Sequence, residues 1–203
     1  MTPEYIVIHT AAFNGEDCDR DLIDQWHRAR KWNGIGYHFV ILNNKHSSKP
    51  DGTVEYGRPK NIQGAHIKGL NSRSVGICCV GHGDKSDFTS KQYESLYKLI
   101  KELMVEFSVP VEKVIGHREV NNLVDAGEVS TQYRTSKTCP GNKVDMNLIR
   151  QYLEETTASD EPSLAELQSA IATLENSQHY FHNANDELVE FLNHPEVLEI
   201  KVQ

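Results

Sequence analysis

Apolar and polar positions divide the first two-thirds of the chain into short, well-marked segments. Residues 4–10 are nearly all apolar up to His9, the pattern of a strand covered on both faces. Residues 19–31 follow with acids in the first turn and Arg28, Arg30 and Lys31 in the last, the charge order of a helix. A second strand is expected at 36–42, and Pro50-Asp51-Gly52 marks a turn before a third at 53–56. Residues 57–72 contain Gly57, Pro59, Gly64 and Gly69 without a clear period, so they read as a loop. A fourth strand is expected at 74–81. Thr89 then opens a long amphipathic helix, with Gln92 spaced to close a capping box. Its buried stripe is Leu96, Leu99, Ile100, Leu103 and Phe107, and Pro110 ends it. Residues 111–116 give a last strand, a long polar loop runs to Cys139, and a helix is expected near 144–154. Strands alternating with helices predict an α/β fold with a mixed central sheet flanked by helices.

The pattern changes after residue 155. Residues 156–162, TTASDEP, read as a linker, separating a domain at 1–155 from a short helical appendage at 156–203. In that tail Leu164, Leu167, Ile171 and Leu174 have heptad-like spacing, continued by Phe181, Leu188 and Leu192 with Gln178 and Asn185 as polar interruptions. One long helix or a helical hairpin fits, packed on the domain, on a second copy or on a protein partner. The net charge of -8 comes from this tail, where nine acids face Lys201 alone. Such a balance argues against nucleic acid, whose phosphates are bound through Lys and Arg. No run approaches the roughly 18 apolar residues of a membrane span. The start, MTPEYIVIHT, has neither a basic region nor a long apolar core, so synthesis in the cytoplasm without a secretory signal is expected. Cys18, Cys78, Cys79 and Cys139 are expected as thiols rather than a disulfide framework. Adjacent Cys78 and Cys79 should point to opposite sheet faces as small buried residues.

Among ten histidines, most have no partner at ligand spacing. His27, His179, His182 and His194 read as non-functional, and His46 and His82 as exposed loop residues. Three positions differ. His9 closes the first strand, His117 follows the last, and Cys139 lies in the turn Lys137-Thr138-Cys139-Pro140-Gly141. Sites in α/β sheets assemble at strand ends. Two imidazoles and a thiolate suit zinc, and three protein ligands leave a fourth position open, as in catalytic sites. Spacing alone does not identify the site, because no HExxH or CxxC pattern is present.

Several short pieces carry more information together. They are Ile6-Val7-Ile8-His9, Gly36-Tyr37-His38-Phe39, Asp51-Gly52-Thr53-Val54-Glu55 with Gly57-Arg58, Gly64-Ala65-His66, Asn71 through Ile77, Gly116-His117-Arg118-Glu119-Val120, and residues 137–141. In this order, over roughly residues 4–153, the chain resembles the zinc-dependent N-acetylmuramoyl-L-alanine amidase family, which includes phage T7-type lysozymes and peptidoglycan recognition proteins. The resemblance implies one zinc held by His9, His117 and Cys139, with Tyr37 and Lys137 as catalytic side chains. It also implies hydrolysis of the amide between N-acetylmuramic acid and L-alanine of peptidoglycan. Zinc lowers the pKa of bound water to about 7. The Lys137 ammonium would stabilise charge growing on the carbonyl oxygen, and Tyr37 would orient the water or relay its proton. Either Tyr37 or Lys137 serves the leaving amine. If Tyr37 faces the metal, strand alternation sends His38 to the opposite side as a satisfied core histidine. His66, Asn71 and Arg73, with Lys68, are candidates for holding the glycan or stem peptide.

The segment between His117 and Cys139 is longer than in compact phage members, adding a stretch near 121–136 that would rim a substrate groove. A non-catalytic peptidoglycan-binding module is the competing reading. Such members typically lose the cysteine, whereas Cys139, both histidines, Tyr37 and Lys137 are all present here. A phage-type endolysin reaching the cell wall after release fits best, ahead of a cytoplasmic muropeptide-recycling amidase or an exported effector.

Overall fold

One five-stranded sheet organises the domain. Its strands are β1 (Tyr5–Thr10), β2 (Phe39–Ile41), β3 (Val54–Tyr56), β4 (Ser74–Cys79) and β5 (Val114–Gly116), in the order β3-β2-β4-β1-β5. Only the β2–β3 pair is antiparallel, so the sheet is mixed, as its alternating helices predict. The computed structural model describes residues 1–160. The expected roles of the acidic tail in association or partner docking lie outside the described residues. Among the described residues no helix is long and apolar enough to cross a membrane.

β1 and β4 are buried at every position, which explains their unbroken apolar runs. On one face, Ile6, Ile8 and Ile77 pack against Leu96, Leu99 and Ile100 of α2 (Ser90–Phe107) and against Ile149 and Leu153 of α4 (Met146–Asp160). The other face carries two separate clusters. Tyr5 and Val7 pack with Val120 and Val124 of α3 (Val120–Asp125), and Val40 and Cys78 pack with Ile23 of α1 (Arg20–Ala29). Cys78 and Cys79 belong to clusters on opposite faces, as strand alternation requires.

Local capping sets the helix starts. The Asp19 carboxylate accepts the Leu22 N–H at 2.9 Å, and Thr89 with Gln92 forms the expected capping box. Gln92 does more than cap. Its buried amide donates to the Ile41 carbonyl at 3.1 Å and the Val80 carbonyl at 2.8 Å, tying α2 to the ends of β2 and β4. Its oxygen accepts the Thr89 N–H at 3.1 Å. Gln92→Leu would leave buried polar groups without partners, a loss of about 2–4 kcal/mol. The expected result is a lower urea midpoint with an unchanged slope, read by circular dichroism.

Three segments differ from the sequence reading. β2 starts at Phe39, because the carbonyls of residues 36–38 accept from the loop beside them, although the His38 N–H still donates to Gly76 of β4. The Ala65 N–H donates to Gly36 and the Arg58 N–H to Tyr37, at 3.0 and 2.9 Å. Gly36 is required there, since a Cβ would lie 2.2 Å from the Ala65 carbonyl oxygen. The stretch from His117 to Cys139 is not a plain loop. It contains 3₁₀ turns at His117–Glu119 and Thr131–Tyr133 around α3, and Val120, Val124 and Val129 anchor it in the core. Finally, α4 runs to Asp160, so residues 156–160 of the expected linker are helical.

Candidate metal centre

The sheet brings two of the three donors together directly. His9 is the penultimate residue of β1. β1 lies parallel to β5 with Ile8 opposite Gly116, so His117, the next residue after β5, emerges beside His9. Their rings meet edge to face, with centroids 4.9 Å apart. Cys139 arrives from a distant turn and is fixed by its backbone. Its carbonyl accepts the Arg118 N–H at 2.7 Å, and its sulfur accepts the Thr10 N–H at 3.4 Å.

His9 Nδ1 lies 3.2 Å from His117 Nδ1 and 3.6 Å from Cys139 Sγ. The three donor atoms lie within 4.8 Å of one another. Tetrahedral zinc, with bonds of about 2.0–2.1 Å to nitrogen and 2.3 Å to sulfur, would separate its N···N ligands by about 3.3 Å and its N···S ligands by about 3.6 Å. The two distances to His9 fit that requirement, and the donor chemistry fits a borderline-soft divalent ion. No other group of three or more His, Cys, Asp or Glu side chains among the described residues converges in this way.

Electrostatics suit the three donors to a cation. Burial first, then the neighbouring His117, hold His9 well below the usual histidine range. Burial, followed by Lys137, lowers His117 to about 4. Both imidazoles are therefore neutral at pH 7, the form that ligates. Burial raises the Cys139 thiol to about 11, although the Thr10 N–H and the Lys137 charge pull it down. A bound divalent cation would supply the charge that favours thiolate there.

Tyr37 faces this group, its ring centroid 5.0 Å from that of His9. Burial is the main cause holding its phenol well above its ordinary value, so the hydroxyl stays protonated and able to donate. Strand alternation does not separate Tyr37 from His38, because both precede β2. His38 is nevertheless satisfied: Nδ1 accepts the Gly76 N–H at 2.9 Å, and Nε2 lies 3.0 Å from the Ile62 carbonyl oxygen. Lys137 lines the cleft over His9, His117 and Cys139. That cleft has a volume of about 360 Å³ and continues into a second section of about 430 Å³. Arg30, Lys68, Arg134 and Lys137 line the second section, and no carboxylate among the described residues does.

The expected substrate-holding residues separate. His66 is 9% exposed and touches His9, Nδ1 to Nε2, at 3.0 Å. Asn71 lines the second section, but its side-chain oxygen already accepts the His66 and Ile67 N–H groups at 2.8 and 2.9 Å. The structure does not bring Arg73 to the cleft. It precedes β4 and pairs with Glu4 at 3.2 Å, while its guanidinium lies over the Tyr5 ring.

Other contributors were not legible as such. Arg118 donates to the carbonyls of Thr138, Gly141 and Val144 at 2.7–3.1 Å, so it grips both sides of the cysteine turn. Asp84 holds the same turn through the Thr138 hydroxyl at 2.7 Å and the Asn142 N–H at 2.8 Å. Gly141 has φ +122, and a Cβ there would lie 2.0 Å from the Gly83 backbone. Glu119 pairs with Arg150 at 2.9 Å, linking the His117 turn to α4. Arg118, Glu119 and Gly141 stand in the pieces that carry the resemblance, but only their contacts reveal what they hold. His82 also lines the cleft. His46 is not an exposed loop residue: its side chain is 7% exposed, between Asp17 and Asp19 at 3.6 and 3.5 Å. His27 has a local structural contact, accepting the Gly36 N–H at 3.0 Å.

A family profile described as N-acetylmuramoyl-L-alanine amidase matches residues 1–142. The chain is 40% identical over 103 residues to an endolysin of Klebsiella phage KP32, covering 48% of this chain and 62% of that protein. It is 39% identical over 103 residues to the endolysin of Escherichia phage T7, again 48% and 62% of the two chains. Among solved structures, the amidase LysC from Clostridium intestinale URNW matches with a TM-score of 0.62 and 31% identity, covering 75% of this chain and 86% of that one.

Proposed function

This chain belongs to the N-acetylmuramoyl-L-alanine amidase family, and from that premise we propose that it is a zinc-dependent hydrolase of the amide joining N-acetylmuramic acid to L-alanine in peptidoglycan. The observation carrying this reading is the convergence of His9, His117 and Cys139 in a cleft lined by Tyr37 and Lys137. These three residues would hold zinc, which would supply Lewis acidity and lower the pKa of water at the site. The chain's own groups do the rest. Lys137 places a positive charge where the carbonyl oxygen gains negative charge. Tyr37, kept as a phenol, donates a hydrogen bond to the reacting group or orients the attacking water. The cationic second section suits a stem peptide bearing carboxylates, with Arg30, Lys68 and Lys137 as exposed charges on its wall and Arg134 paired with Asp125. Similarity to phage endolysins favours a lysin that meets the cell wall after release over a recycling enzyme.

Two measurements test the reading together. The purified chain should carry about one zinc and free new amino termini, with intact stem peptides, from purified sacculi. Removing zinc with a chelator should stop release, and adding zinc back should restore it. Binding to sacculi without release would favour the non-catalytic module. Faster turnover of soluble muropeptides than of sacculi would favour the recycling enzyme.

A further inference from the structure

The sequence offers His66 as a substrate contact, but its surroundings give it a different task. Its imidazole occupies a slot made by two glycines. A Cβ at Gly76 would lie 2.6 Å from its Cγ, and one at Gly64 would lie 2.4 Å from its Cδ2. Asn71 shapes the turn beneath it, as described above. Nδ1 lies 3.0 Å from His9 Nε2, on the side of that ring away from Cys139 and His117. Nε2 makes a longer contact, 3.5 Å, with the Ser74 hydroxyl. Ser74 is fully buried, and its hydroxyl lies 2.8 Å from the Leu70 carbonyl oxygen, which can only accept.

The shorter of the two Ser74 contacts, 2.8 Å to Leu70 against 3.5 Å to His66, sets the order of protons along this line. A hydroxyl has a single proton, and Ser74 gives it to Leu70. Toward His66 the Ser74 oxygen must therefore accept, so His66 carries its proton on Nε2. Both imidazoles are buried without a carboxylate partner, which favours their neutral forms. Neutral His66 then presents a bare Nδ1, and His9 must donate from Nε2. That leaves the His9 Nδ1 lone pair free, aimed at the space shared with His117 and Cys139. We propose that His66 is a positioning residue for the metal centre, fixing the His9 tautomer through a directed chain that starts at the Leu70 carbonyl and passes through Ser74. Outer groups of this kind orient a ligating histidine and raise its basicity. The inference rests on the proposed zinc site, and it adds a reason for two buried glycines and a serine that do not line the cleft.

Zinc affinity of the full chain, measured by competition with a chromophoric chelator, separates the outcomes. His66→Phe, which fills the slot without an acceptor, should bind zinc about 10–100-fold more weakly. His66→Asn, whose oxygen can replace Nδ1 as acceptor, should recover most of that loss. A purely structural role would lower the melting temperature of both metal-free variants and leave their affinities alike. Unchanged affinity in His66→Phe, or no recovery in a folded His66→Asn, overturns the relay while the metal centre stands. A parent chain that takes up no zinc overturns both. Nitrogen–proton long-range NMR correlations of the zinc-loaded parent should find His9 and His66 each protonated at Nε2. His66 protonated at Nδ1 overturns the relay without requiring any variant to fold.

Discussion

Cys139→Ser is expected to reduce stem-peptide release from sacculi to below ~1% of the parent rate and to weaken zinc binding by more than ~100-fold, beyond the usual loss from an outer-shell change. Serine nearly matches cysteine in shape, so the substitution isolates the donor chemistry. A thiolate is a good zinc ligand at neutral pH, whereas a hydroxyl holds its proton and binds poorly. The fold should survive. The turn carrying Cys139 is held by Arg118 and Asp84 through backbone groups and the Thr138 hydroxyl, none of which uses the sulfur. Thermal melts provide the check. Zinc should raise the parent's melting temperature in proportion to the logarithm of its concentration and leave the variant's almost unchanged. Metal-free parent and variant should melt within a few degrees of each other. Release at the parent rate by the serine variant would remove Cys139 from the centre.

How much of this was legible before the structure depends on the range of the interaction. Elements specified by local chemistry were readable. The Thr89–Gln92 box and the apolar stripe of α2 lie within a few turns of one helix, and the runs in β1 and β4 announce strands buried on both faces. His9 and His117 could be placed at strand ends because the strands themselves were visible. Their adjacency depends on β1 and β5 pairing across more than a hundred residues of sequence, which no local pattern states. The helical turns between His117 and Cys139 did leave a trace. Val120, Leu123 and Val124 have helical apolar spacing, but the polar residues around them dilute it. Tyr37 and His38 show the opposite error. Their carbonyls accept from the 57–65 loop, and Tyr37 lies ahead of the regular strand, where period-two alternation has no force. His66 was recognisable as a site residue, yet its partner could not be known. Its contact with His9 spans 57 positions and exists only because Gly64 and Gly76 leave room for an imidazole.

Lys137→Met is expected to separate chemistry from metal binding, because the two should move in opposite directions. Lys137 is exposed and lines both sections of the cleft. It lines the same cleft as His9, His117 and Cys139, and its positive charge lowers the proton affinity of all three. A cation there opposes a second cation at the centre. Removing it should leave zinc affinity unchanged or raise it by less than ~10-fold, given the screening at a solvent-facing position. Catalysis should respond the other way. If Lys137 stabilises the negative charge that grows on the carbonyl oxygen, its loss should cost about 10²–10³ in kcat, the scale of deleting one preorganised donor from an oxyanion site. KM for a soluble muropeptide should change far less, since that charge is absent from the bound ground state. Methionine keeps the apolar stem and length, so packing over the cleft should change little. A comparable fall in zinc affinity would instead assign Lys137 to support of the centre, and an unchanged kcat would leave Tyr37 as the remaining proposed catalytic side chain.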